Sequence, residues 1–158
     1  MKQVTIIVPE GDVNLSSITG SYEILSRANA YWQKMGNPPM MEIHIAGFMT
    51  ALKLDAGFFS VNPVNIKTIK KTDLLIIPSI SYDDHLMKEN AALITWITAQ
   101  YKTGAEIASM CSGAFLLAAT GPLKATSCST HWRAAAEFKN FFPKGQLVTE
   151  KLITNEQG

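Results

Sequence analysis

Residues 105–119, which read AEIASMCSGAFLLAA, constrain the fold more than any other part of the chain. The first half of this segment is apolar and typical of a buried strand, whereas the second half is typical of a helix. The small residues Ser112 and Gly113 separate the two halves directly after Cys111. This change from strand to helix through small residues predicts a sharp corner that presents the Cys111 side chain.

A cysteine at such a corner has a defined chemistry. The backbone N–H groups at a helix N-terminus are unpaired, and together with the helix dipole they favour negative charge. This environment favours the thiolate, which is the nucleophilic form of cysteine. The arrangement parallels the nucleophile elbow of serine hydrolases, with a thiol in place of the hydroxyl. Cys111 is therefore the first candidate for a functional residue.

Length, charge and cysteine content favour a single cytoplasmic domain. The chain has 158 residues, of which 47% are hydrophobic, so it can bury a core. Its formal net charge is only +1, so no overall electrostatic attraction to nucleic acid or to an anionic membrane is expected. No apolar run approaches the ~20 residues that span a bilayer, and the start, MKQVTIIVPEG, is too strand-like for a signal peptide. Two cysteines without an export signal predict free thiols in a reducing compartment.

Apolar, β-branched segments alternate along the chain with segments of helical periodicity. Strands are predicted over residues 3–8, 41–48, 73–78 and 105–110, with a hairpin over 52–61, a short strand over 125–130 and two more within 146–154. Helices are predicted from Ser16 or Ser17 to about Met35, and over 85–102, 114–120 and 132–141. The alternation predicts an α/β fold with a mostly parallel sheet and helices on both faces.

The sequence around Cys111 resembles a known superfamily. The elbow CSGAFLLAATG followed by LKATSCSTHW resembles the ThiJ/PfpI, or class I glutamine amidotransferase-like, superfamily, and most of all the N-terminal domain of AraC-type transcription regulators. The interval of twenty residues between Cys111 and His131 is the one that the superfamily requires. The segments IIVPEG, ITGSYEILSRAN and TDLLIIP also resemble its first strand, its first helix and the strand before its glycine pair.

This resemblance implies a flavodoxin-like three-layer sandwich in one domain over residues 1–158, a homodimer, and no contact with a membrane. It implies that the family domain continues past Gly158, so the chain is either a fragment or a naturally short member. DNA would be contacted only through helix-turn-helix units outside this chain. The residues that match the family's binding region, and are therefore expected to contact a small-molecule ligand, are Ser17, Ser79, Ile80, Cys111, Ser112, His131 and Trp132.

Two positions depart from the superfamily's pattern. Its enzymes carry an acidic residue near the thiol, and Ser17 stands at that position, where a hydroxyl cannot replace a carboxylate. Glu10 or Asp12 could instead reach in from the preceding loop. Many members carry two glycines where this chain has Ser79 and Ile80, and such glycines let backbone N–H groups approach a reacting oxygen. Both departures favour ligand sensing over catalysis.

Three functions remain open on the sequence. The first is the small-molecule-sensing and dimerisation domain of an AraC-type regulator. The second is a cysteine-dependent enzyme, a hydrolase, isonitrile hydratase or glyoxalase-like protein, with Cys111 as nucleophile and His131 as base. The third is redox sensing, in which Cys111 is oxidised ahead of Cys128. Trp132 either walls a pocket beside the thiol or packs as a core aromatic. Metal-ligand spacings and phosphate loops are missing, so neither a metal nor a cofactor is expected.

Overall fold

A five-stranded parallel sheet forms the centre of the molecule. The computed structural model describes residues 1–83, 85–121 and 127–155. The strands in these residues are β1 (Lys2–Val8), β2 (Met41–Gly47), β3 (Leu52–Leu54), β4 (Phe59–Val61), β5 (Val64–Asn65), β6 (Leu74–Ile77), β7 (Glu106–Ser109), β8 (Ser127–Cys128) and β9 (Gln146–Leu147). The sheet has the order β5-β2-β1-β6-β7, whereas β3 and β4 form a hairpin and β8 pairs with β9.

Helices connect the parallel strands. They are α1 (Leu15–Lys34), α2 (Leu86–Glu89), α3 (Ala91–Lys102), α4 (Ala114–Ala119) and α5 (Ala135–Phe141). The crossover through α1 leads from β1 to β2, and the crossover through α2 and α3 leads from β6 to β7 on the other side of β1. Because both crossovers are right-handed by rule, α1 lies on one face of the sheet and α3 on the other. The predicted α/β, flavodoxin-like sandwich is confirmed.

The core lies where the two central strands are covered on both faces. Ile6 and Ile7 of β1 and Leu75 and Ile77 of β6 have no exposed surface, as expected for the apolar runs of a parallel sheet. Asp73, directly before β6, accepts the Gln3 N–H at 2.7 Å. This hydrogen bond, supported by the nearby lysine charges, holds the pKa of the Asp73 carboxyl below its usual value.

Two predicted helix boundaries were wrong. The N-cap of α1 is Asn14, whose Oδ1 accepts the Ser17 N–H at 3.3 Å, so the helix starts before the predicted serine caps. The predicted helix over 85–102 is divided into α2 and α3 at Asn90. Asn90 is buried, and its side chain accepts the Glu10 N–H at 2.9 Å and donates to the Glu10 carbonyl at 3.1 Å. This tertiary contact explains the break.

The C-terminal strand predictions hold only in part. Of the segment 125–130, Ser127 and Cys128 form a strand, and residues 125 and 126 lie outside the described residues. Among the described residues of 146–154 there is one strand, β9, rather than two. Leu152 and Ile153 are 98% and 83% exposed, so the second segment lacks the packing that a strand requires. The short edge strand β5 was not predicted.

Within the described residues, no helix has the length and apolar character needed to cross a membrane.

Candidate functional site

Cys111 lies at the predicted corner between a strand and a helix. Strand β7 ends at Ser109, a 3₁₀ turn spans Cys111–Gly113, and α4 begins at Ala114. The φ angle of Cys111 is +52°, in the left-handed region that costs a residue with a side chain about 1–2 kcal/mol. The residue is exposed. The corner is therefore confirmed, and it holds the thiol on a strained backbone at the surface.

A close backbone approach holds the corner in place. A Cβ built on Gly113 would lie 2.6 Å from the Pro78 carbonyl oxygen and 2.8 Å from that of Ile77. Only glycine allows α4 to start so close to the end of β6. The Thr130 hydroxyl donates to the Cys111 carbonyl at 2.9 Å and so ties the chain before His131 to the same corner.

The Ser112 hydroxyl is fully hydrogen-bonded to the loop after β6. Ser112 is buried, and its Oγ accepts the Ile80 N–H at 3.0 Å and donates to the Ile80 carbonyl at 2.6 Å. The hydroxyls of Ser79 and Ser112 lie 2.9 Å apart. A hydroxyl has one donor and two acceptor sites, so these contacts use all of them. Ser112 therefore braces the elbow against this loop.

Ser17 has the equivalent role on the other side of the same loop. It is buried in the first turn of α1, where its Oγ accepts the Ser79 N–H at 3.1 Å and donates to the Asn14 carbonyl at 2.6 Å. The N–H groups of Ser79 and Ile80, which correspond to the family's glycine pair, are thus both bound to serine hydroxyls. Neither N–H is available to a substrate oxygen.

His131 lies near the elbow and caps a neighbouring turn. Its Nδ1 accepts the Arg133 N–H at 3.2 Å, which places the proton of the neutral ring on Nε2. Within the described part of the chain, the Cys111 sulfur has no hydrogen-bond partner. Trp132 is exposed between the His131 ring and the Arg133 guanidinium, at 5.5 and 5.1 Å between centres. It is therefore not a core aromatic.

A cavity of about 590 Å³ lies at the carboxyl ends of β1 and β6. These strands are neighbours, although the chain leaves β1 towards β2 on the other side. Such a reversal of strand order is where open α/β sheets bind ligands. Ser79 and Ile80 line the cavity together with Asp12 from the loop after β1, and Phe59 of the hairpin contributes to its wall.

The two loops beside the cavity form one unit. Val13 and Ile80 form an antiparallel bridge. The Ser81 N–H donates to the Asp12 carbonyl at 2.8 Å, and the Asn14 N–H donates to the Ser79 carbonyl at 3.0 Å. These bonds fix the loop after β1 against the loop after β6.

The structure separates the predicted site residues into two groups. Ser79 and Ile80 line the cavity, whereas Cys111, Ser112, His131, Trp132 and Ser17 are not among its described lining residues. The bond between Ser79 and Ser112 connects the groups. The sequence-based interpretation treated Asp12 only as a possible acid partner of the thiol. The signal that could have identified it as a cavity residue was its position in the loop after β1, where the strand order reverses.

Cys111→Gly should raise the free energy of unfolding by about 0.5–1 kcal/mol, because glycine adopts a positive φ without strain. The gain is smaller than the full strain energy, because glycine loses more backbone entropy on folding. Urea denaturation measures the change. Cys111→Ser, which keeps the strain, serves as the control and should stay within ~0.5 kcal/mol of the parent. A loss of stability in Cys111→Gly would mean that packing of the thiol outweighs the strain.

A parallel α/β sheet with a cysteine elbow after β7 defines the class of this protein. The DJ-1/PfpI family pattern matches residues 51–157, and the chain belongs to that family. A proposed transcriptional regulator from Vibrio parahaemolyticus is 29% identical, with a TM-score of 0.83 over 98% of this chain and 80% of that one. An AraC family transcriptional regulator from Pseudomonas putida, 18% identical, has a TM-score of 0.75 over 99% of this chain and 80% of that one.

Two further proteins are similar to this chain, one in fold and one in sequence over a short segment. DJ-1beta of Drosophila melanogaster shares the fold, with 17% identity and a TM-score of 0.76 over 98% of this chain and 77% of that one. The HTH-type transcriptional regulator GbdR of Pseudomonas aeruginosa is 32% identical over 56 residues, which are 35% of this chain and 15% of the regulator. The matched stretch thus spans a small part of that regulator's length. The relatives of this DJ-1/PfpI domain include proteins described as transcription regulators.

Proposed function

We propose that the chain is the small-molecule-sensing and dimerising domain of an AraC-type transcription regulator, with DNA bound through a domain outside this chain. The hydrogen bonds of Ser17 and Ser112 to the N–H groups of Ser79 and Ile80 carry this proposal. An enzyme that attacks a carbonyl needs such donors free, at about 2.7–3.1 Å from the developing oxyanion. In this structure the N–H groups of Ser79 and Ile80 already donate to serine hydroxyls of the protein.

The cavity supports the sensing role. Its volume of about 590 Å³ lies in the range of small-molecule sites. Ser79, in the loop after β6, contacts both Ser17 in the first turn of α1 and Ser112 in the cysteine elbow. A ligand bound in the cavity would therefore contact the loop after β6, which links α1 to the cysteine elbow. The likeness to the Vibrio parahaemolyticus protein and to GbdR supports assignment to a regulator.

An exposed apolar stripe on α1 supports dimerisation. Ile24, Tyr31 and Met35 are all exposed, and their spacing of seven and eleven residues places them on one side of the helix. Phe58, at the tip of the hairpin, is a separate exposed aromatic residue with 85% of its surface accessible. Contiguous exposed apolar surface is typical of interaction sites. A homodimer would cover it through a symmetric contact.

The alternative is a cysteine-dependent enzyme that uses Cys111. One observation favours it: the exposed thiol is held at a strained backbone position, and strain of this kind is concentrated at functional sites. A triad needs a base oriented by an acid, and His131 instead accepts a backbone N–H at Nδ1. Assays with amide, aldehyde and isonitrile substrates test this alternative, and turnover lost in Cys111→Ser would establish it.

The dimerisation role is tested by fusing the chain to a monomeric DNA-binding domain whose operator requires a dimer. The fusion should repress a reporter, and analytical ultracentrifugation of the unfused chain should show a dimer. Tyr31→Glu, which places a charge in the apolar stripe, should lower reporter repression at least tenfold. Gln33→Glu, an exposed position elsewhere on α1, should leave repression unchanged. A monomeric chain that does not repress the reporter would refute the dimerisation role.

A further inference from the structure

We propose that a second cavity, near the amino ends of β1 and β6, binds a small organic carboxylate. This cavity, which we call the lysine pocket, has a volume of about 520 Å³, in the range of small-molecule sites. Strands β1, β2 and β5 contribute Gln3, His44 and Val64 to its lining, and the segment 68–71, which leads to β6, contributes the rest. None of these residues lines the cavity at the carboxyl ends of the strands, so the inference goes beyond the proposed function.

The lysine pocket is positively charged. Lys70 and Lys71 line it, and among its described lining residues there is neither an aspartate nor a glutamate. Within the described part of the chain, neither lysine forms an ion pair. Two adjacent cations without a paired carboxylate attract an anionic ligand.

The carboxylates beside the pocket have partners of their own. Glu42 accepts the Gln3 side-chain amide at 3.0 Å and lies 3.4 Å from His44 Nε2. Asp73 accepts the Gln3 backbone N–H at 2.7 Å and lies 4.0 Å from the Lys2 ammonium group. These contacts leave the positive charge of the pocket available to a ligand.

Buried hydrogen bonds fix the lysine-bearing segment in place. Thr72, directly after Lys71, is buried; its N–H donates to Gln100 Oε1 at 3.1 Å, and its hydroxyl lies 3.1 Å from the Gln3 carbonyl oxygen. The Gln100 side-chain amide also donates to the Lys70 carbonyl at 3.4 Å. The segment is thus tied to both β1 and α3. A site whose backbone is already ordered loses less entropy when a ligand binds.

An unpaired buried hydroxyl lies beside the pocket. Thr5 has no exposed surface, and its Oγ1 has no hydrogen-bond partner among the residues that the structure describes. Thr5 pairs with His44 in the parallel register and follows Gln3 by two residues, so these three side chains share one face of the sheet. Buried hydroxyls are almost always hydrogen-bonded. A carboxylate oxygen that enters between Gln3 and His44 would accept this one.

The pocket also offers apolar surface to the rest of the ligand. Val64 is 46% exposed and lines the pocket together with Ile69, which is half-buried. Covering these side chains with hydrocarbon removes apolar surface from water and stabilises the complex. The ligand class is therefore a carboxylate on a short hydrocarbon chain rather than an inorganic anion.

Hexanoate, 1-hexanol and hexylammonium test the inference, because they share a hydrocarbon chain and differ in the charge at its end. Each is titrated into the full chain and followed by calorimetry and by amide chemical shifts. Hexanoate should bind about tenfold more tightly than hexanol, and hexylammonium most weakly. Acetate, which lacks the chain, should bind more weakly than hexanoate. The shifts caused by hexanoate should be concentrated around Gln3, His44 and Ile69.

Variants test the charge and the buried hydroxyl separately. Lys70→Gln combined with Lys71→Gln should lower hexanoate affinity about tenfold. The matched control, Lys139→Gln with Lys144→Gln, removes the same charge at exposed positions outside the pocket and should leave the affinity unchanged. Thr5→Val, which keeps the shape and removes the hydroxyl, should lower the affinity about fivefold. It should also raise the Tm of the free protein, because a buried polar group without a partner is lost.

Several results would overturn the inference. They are equal binding of hexanoate and hexanol, acetate binding as tightly as hexanoate, and a hexanoate affinity that survives the double lysine substitution or Thr5→Val. Shifts concentrated at Asp12, Ser79 and Ile80 would place the ligand in the cavity at the carboxyl ends instead. Binding of a short DNA duplex without binding of hexanoate would identify a contact for the phosphate backbone. Each of these results leaves the test of dimerisation unaffected.

Discussion

Replacement of Phe115 by alanine is expected to lower the free energy of unfolding by about 4 kcal/mol, because the cavity left behind cannot collapse. Phe115 lies on α4 without exposed surface. Its ring stacks on Tyr82 at 4.4 Å between centroids and meets the edges of Phe138 at 5.1 Å, Phe141 at 5.9 Å and Phe142 at 6.3 Å. Urea denaturation monitored by circular dichroism measures the loss.

The same substitution has a functional consequence. Tyr82 lines the cavity and stacks on Phe115, so truncation of Phe115 should also alter the wall of the cavity where the variant remains folded. Phe58→Ala is the matched control, because this ring is 85% exposed and its loss should change stability by less than ~0.5 kcal/mol. A stability loss below ~1 kcal/mol for Phe115→Ala would contradict the packing described here.

Gly113→Ala is expected to cost about 3 kcal/mol, because the new Cβ would clash with two backbone oxygens that cannot rotate away. These oxygens belong to Pro78 and Ile77, at 2.6 and 2.8 Å from the ideal Cβ position. Thermal and chemical denaturation both measure the cost. Alkylation of Cys111 should change as well, since α4 must move away from the end of β6.

Gly20→Ala is the control for the glycine substitution. Gly20 lies inside α1, and among the described residues no atom beyond its chain neighbours and the nearby helix backbone lies within 4 Å of its ideal Cβ position. Alanine there should stabilise the protein by ~0.5–1 kcal/mol through helix propensity. Equal tolerance of Gly113→Ala would show that the elbow is not pressed against β6.

The main strands and the elbow could be predicted because local patterns determine them. The apolar runs of β1 and β6 and the small residues after Cys111 are visible in the sequence and hold in the structure. Strand β7 forms where it was predicted, but its predicted burial was wrong, because it lies at the end of the strand order and Glu106 and Ala108 are exposed. The break at Asn90 could not be predicted, since its cause is a contact with the backbone of Glu10, eighty residues away. The cap at Asn14 was missed because two serines follow it, and all three residues are good caps.

The site was harder to predict than the fold. Sequence reasoning named Ser17, Ser79 and Ser112 as ligand contacts, but a sequence does not show where a hydroxyl points. The structure directs the Ser17 and Ser112 hydroxyls at the backbone of the loop after β6. Asp12 was not predicted as a cavity residue, because the cavity forms only where the loops after β1 and β6 meet the hairpin.

Helix α1 starts at the cavity and ends on the apolar stripe. Asn14 at its N-terminus is bonded to Ser79, and Met35 follows its last residue. Twenty helical residues make a stiff rod about 30 Å long. A tilt of about 5° at the ligand end would displace the far end by about 3 Å. In the proposed dimer, α1 would therefore act as a lever by which a ligand in the cavity changes the alignment of the two subunits.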